Sequence, residues 1–89
     1  MDTWTVATLD VWGNEKDGWD VNNVYKYCDD LVIADDADEH DIMQALKRMG
    51  LLKKACQLRW LDIDWCDDTI IEINQAKNGY PLFQITRNL

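Results

Sequence analysis

Apolar and polar side chains alternate along residues 58–68, LRWLDIDWCDD. Leu61, Ile63 and Trp65 fall on one side, and Trp60, Asp62, Asp64 and Cys66 on the other. A period of two is the signature of a strand with one buried face, so the first set is expected in the core and the second on a wet surface. Residues 3–12, TWTVATLDVW, read as an earlier strand because β-branched and aromatic residues dominate. Ala7, Leu9 and Val11 share one of its faces, and Trp4, Val6 and Trp12 the other. The glycines of GNEKDG, residues 13–18, with Asn14 and Asp17, form a hairpin connection into a second strand somewhere within residues 19–27. Asn22 and Asn23 are candidate breaks in that strand. Leu31, Val32 and Ile33 then form either a separate short strand or the entry to a helix.

The period changes over DDADEHDIMQALKRMG, residues 35–50, where Ile42, Ala45, Leu46 and Met49 mark one helical face. Asp36 with Glu39 fits a capping box, and Asp38 is an alternative cap. Gly50 ends the helix in the left-handed conformation open to glycine, behind Lys47 and Arg48 in the last turn. Leu51 and Leu52 are expected to fold back onto the core. After residues 58–65 come a turn at Cys66, Asp67 and Asp68, a strand over 69–75, and a hairpin signal at Asn78–Gly79. In the last strand, 82–87, the preceding Pro81 predicts an edge position, where no ladder donor is missed.

The order β-β-α-β-β-β describes an α+β fold, one helix packed on a four- or five-stranded, largely antiparallel sheet. A β-grasp-like arrangement is one topology that fits. At 89 residues the chain makes a single domain over 1–89, burying roughly 60 to 65% of its unfolded surface. Hydrophobic residues supply 47% of it, including five Trp, enough for a core without metal or disulfides. Cys28, Cys56 and Cys66 form no CxxC pair and leave one cysteine over from any single bridge, which reads as a reduced, cytoplasmic chain. No run has the length of a signal sequence or a membrane span.

Charge divides the molecule. Residues 1–45 hold 12 acids and 2 bases, whereas 46–89 hold 5 acids and 7 bases, for a total of -8. The acids Asp29, Asp30, Asp35, Asp36, Asp38, Glu39 and Asp41 crowd around the helix start. The bases Lys47, Arg48, Lys53, Lys54 and Arg59 fall between Asp41 and Asp62 with no acid among them. Such a chain is dipolar.

Few catalytic chemistries fit. There is no serine, and His40, the sole histidine, sits in the first helical turn among Asp38, Glu39 and Asp41, a place for a solvated imidazole rather than a base. The cysteines and histidine lack zinc-site spacing. Asp62, Asp64 and Asp68 match three positions of a calcium loop, but Asp67 stands where its glycine belongs and Ile73 where its glutamate belongs. GNEKDG has neither phosphate-loop spacing. No catalytic, cofactor or metal residue is therefore assigned, and no cofactor is expected.

Three functions remain in order. The first is a non-enzymatic protein-binding module whose ordered carboxylates imitate nucleic acid and occupy a cationic groove on a partner protein. Aromatics left outside the helix-covered face, drawn from Trp4, Trp12, Tyr25, Tyr27 and Trp60, serve a partner, a homodimer contact or a second small core. The second is a nucleic-acid-binding accessory protein using the basic 47–59 segment, with Trp60 as a stacking platform; the surrounding negative charge opposes a phosphate backbone. The third is a small metal-dependent hydrolase using Asp62 and Asp64.

The runs DVWGNEKDGWDVNNVY, residues 10–25, and NGYPLFQITR, residues 78–87, resemble parts of small phage-encoded proteins. The resemblance implies an inhibitor that binds and blocks a host protein, restriction or CRISPR machinery included. It carries no site residue over.

Overall fold

A computed structural model describes residues 2–88, without the side chains of Asp2, Asn23, Val24 and Tyr25. Tyr25, one of the aromatics expected outside the core, thus has its side chain outside the described residues. The fold is α+β. Strands β1 (Asp2–Asn14) and β2 (Gly18–Ile33) precede helix α1 (Glu39–Arg48), a 3-10 turn (Leu58–Trp60), and strands β3 (Leu61–Trp65), β4 (Ile70–Gln75) and β5 (Pro81–Arg87). They form one open sheet in the order β2-β1-β5-β4-β3. Every neighbouring pair is antiparallel.

That order excludes the β-grasp arrangement, in which the first and last strands run parallel at the centre. Here β1 and β5 are central neighbours but antiparallel, with Val6 opposite Ile85. Helix α1 carries the chain from the β2 edge to the β3 edge, and the meander β3-β4-β5 returns it to β1. Pro81 consequently does not lie on an edge strand. It is tolerated because it is the first residue of β5, where only Asn74 of β4 stands opposite; pairing with β1 begins at Phe83.

One sheet face holds the core. Trp4 and Val6, Leu31 and Ile33, Ile63, Ile71 and Ile73, and Phe83 and Ile85 pack with Ile42, Ala45 and Leu46 of the helix. Trp4 was expected among the outer aromatics, yet it is 5% exposed. Trp65 was expected in the core and is 42% exposed. Its face parity is nonetheless right, since it pairs with fully buried Ile71. Trp65 simply ends an edge strand, where one flank has no neighbour.

The helix begins at Asp38 rather than Asp36. Asp38 accepts from the Asp41 N–H at 2.9 Å, and Asp41 accepts from the Asp38 N–H at 3.2 Å, closing a capping box. At the other end Gly50 takes φ +79°. The Leu51 N–H then reaches the Leu46 carbonyl and the Gly50 N–H the Lys47 carbonyl, both at 3.0 Å. This terminus turns Leu51 and Leu52 against the core.

Strand β2 runs unbroken through Asn22 and Asn23 and absorbs Leu31–Ile33. The asparagines mark a bulge instead, since the register jumps from Leu9↔Tyr25 to Asp10↔Asn22; a second jump leaves Cys28 extra. Because β5 flanks β1 only from Trp4 to Thr8, the rest of the first hairpin is a two-stranded ribbon. Trp19 anchors it, meeting Tyr80 edge to face at 5.0 Å and donating from Nε1 to the Asn78 carbonyl at 2.9 Å.

Candidate functional site

The acids around the helix start gather at one end of the sheet, whereas Asp10, Glu15, Asp17 and Asp20 lie on the first hairpin, which projects at the other end. Strand β2 ends, the turn at Asp35–Asp36 follows, and the helix starts, so Asp29, Asp30, Asp35, Asp36, Asp38, Glu39 and Asp41 come together at one end, all exposed. Tertiary structure adds two more. Asp35 shares a hollow of about 350 Å³ with Asp67, Asp68, Trp4, Trp65 and Arg87. Asp67 and Asp68 lie some thirty residues further along the chain, and only the antiparallel return of β3 brings them here.

These carboxylates are not equivalent. Asp38 and Asp41 close the helix cap, Asp29 accepts from the Asp30 N–H at 2.8 Å, and Asp30 accepts from the Thr5 hydroxyl at 3.3 Å. Asp67 accepts from the Thr69 hydroxyl at 2.7 Å and the Thr69 N–H at 2.6 Å. Those bonds to its charged form hold the Asp67 carboxyl below its ordinary value. Among the described residues, Asp35, Asp36, Glu39 and Asp68 are the acids of this end without such a hydrogen bond.

The five bases do not make one stripe. Lys53 and Arg59 line a groove of about 720 Å³ with Trp60, and Lys77 joins them from the β4–β5 turn. Nothing in the order of residues 47–59 pointed to Lys77. Arg48 lines a different hollow beside Asp41 and Gln44, Lys47 is half-buried, and Lys54 is exposed outside the groove lining. Trp60 also differs from its strand assignment. It closes a 3-10 turn, its N–H donating to the Gln57 carbonyl at 2.9 Å, so it leaves the sheet's alternation and stands 49% exposed at the groove mouth.

The face turned away from the helix carries a different set. A row runs across it from Tyr27 through Ala7, Gln84 and Glu72 to Asp64. Tyr27 is well exposed; partial desolvation, and then the charges of Asp30 and Asp29, push its phenol up. At the far edge Asp64, Cys66 and Glu72 bring ligand atoms within 4.8 Å of one another. Desolvation, followed by Glu72 and Asp64, raises the Cys66 thiol. Asp62 is exposed opposite Asn74, one step along the same face from Asp64. No helix among the described residues is long and apolar enough to cross a membrane. Comparison with protein-family models, curated proteins and solved structures gives no match for this chain.

Proposed function

We propose that the protein is a non-enzymatic binding module, a phage-type inhibitor whose acidic end competes with nucleic acid for a cationic surface on a partner protein. The observation that carries this reading is the gathering of nine exposed acids, the seven around the helix start together with Asp67 and Asp68, beside partly exposed Trp65. Carboxylates held on a rigid strand end and helix cap keep a set spacing, so they meet a cationic groove at little ordering cost. An aromatic among them supplies desolvated contact area that charge alone lacks.

The test is capture from a bacterial host lysate with the intact chain and with a D35N/D36N/E39Q variant. These three positions spare the helix cap, so loss of capture reports on binding and not on folding. The expected result is a partner released by the triple substitution and displaced by double-stranded DNA. A partner whose capture ignores both changes overturns the mimicry.

A further inference from the structure

The groove at the opposite end combines an apolar floor with a cationic rim. Leu51, Leu52, Leu61 and Leu82 each pack on the core with one side and face the groove with the other. Around this apolar floor stand Lys53, Arg59 and Lys77, and no acid among the described residues lines it, although the chain has 17 acids to 9 bases. We propose that this groove binds a small amphiphilic anion, an aliphatic or aromatic body carrying one carboxylate or sulfonate.

Three observations support that occupant. The volume, about 720 Å³, matches pockets that enclose small molecules, which run from about 300 to 1,000 Å³. The walls are preformed: the Ala76 N–H donates to the Trp60 carbonyl at 3.0 Å, tying the β4–β5 turn to the 3-10 turn. The Gln75 N–H to Tyr80 carbonyl and Gly79 N–H to Gln75 carbonyl bonds, each 2.8 Å, then hold the turn that presents Lys77. Finally, apolar floor and cationic rim are complementary to a ligand with both parts, since the tail leaves water while the head stays at the rim. An extended phosphate backbone offers no apolar body for the leucines, which separates this site from nucleic-acid binding. It is also independent of the acidic end, at the other extreme of the sheet.

Titration of the isotope-labelled full chain with decanoate, followed by amide chemical shifts, tests the assignment. Saturable shifts confined to residues 51–61, 75–77 and Leu82 are expected, with protection of Cys56 in the lining from alkylation. The R59Q/K77Q variant should bind decanoate about tenfold more weakly, and A55W, which fills the groove from an exposed wall position, should abolish binding while leaving the remaining spectrum in place. Equal binding of decylammonium overturns the anion preference, and equal shifts with acetate overturn the apolar part. Absence of saturable shifts, or binding of a leucine- and glutamate-rich peptide at the same residues without decanoate binding, overturns the small-molecule site altogether.

Discussion

Trp4 and Trp65 meet edge to face, their ring planes at 90° and their centroids 6.4 Å apart. The two residues belong to β1 and β3, strands separated in the sheet by β5 and β4. Their indoles therefore lean towards one another over the core face and close it at the acidic end, above Ile71 and Ile85. The Arg87 guanidinium lies 5.8 Å from the Trp4 ring, adding a cation to the same closure.

The pairing makes two of the exposed tryptophans, Trp65 and Trp60, separable. Trp65→Ala removes the ring that covers Trp4 and should destabilise the fold by about 1–2 kcal/mol, less than a fully buried indole because Trp65 is already partly in water. Trp60→Ala removes a side chain at the groove mouth and should stay within about 0.5 kcal/mol of the parent. Urea unfolding of both variants measures the difference. Equal losses would mean that Trp60 has a packing role its position does not reveal.

The helix termini distinguish the true cap from its neighbour. Asp38→Ala should cost about 1 kcal/mol because it orphans the Asp41 N–H, whereas Asp36→Ala should fall within about 0.5 kcal/mol of zero. Gly50→Ala meets open space around a new Cβ, so its cost is the left-handed backbone alone, about 1–2 kcal/mol. Thermal or denaturant melts of the three variants read the ordering directly.

Two titrations on the β3–β4 side should move in opposite directions. The raised Cys66 thiol holds its proton longer, so alkylation at mildly alkaline pH is slow, and Glu72→Gln, which removes a nearby negative charge, should accelerate it. Peptide-resolved mass spectrometry after brief iodoacetamide treatment gives the rate. For Asp67 the folded value is depressed, so its contribution to stability is complete above the ordinary carboxylate range and is lost as pH falls through the folded value. Thr69→Ala removes the hydroxyl donor, and the Asp67 resonance should then titrate at higher pH in a carboxylate-detected NMR series.

Much of the local structure was legible along the chain, because it depends on near neighbours. The helix face Ile42–Ala45–Leu46, the stop at Gly50 and the turns at residues 13–18 and 78–79 follow from periodicity and from backbone angles that glycine alone adopts easily. The order of elements and the division of charge were equally readable. Even the cap was narrowed to two candidates, Asp36 and Asp38, and the choice of Asp38 turned on which acid reaches the N–H three residues on.

What lay beyond the sequence was every property set by which strands become neighbours. The same alternation in β3 fits a central or an edge strand, so it could place Trp65 on the core side but not foresee that the last residue of an edge would stay half in water. Trp4 became core because β5 and β2 flank it, while Leu9 and Val11 on the other parity run on into the ribbon past the end of β5. Lys77 reached the groove, and Asp67 and Asp68 the acidic end, because antiparallel pairing folds distant segments side by side. Hydrophobic pattern sets which way a side chain can point; long-range pairing decides what it meets there.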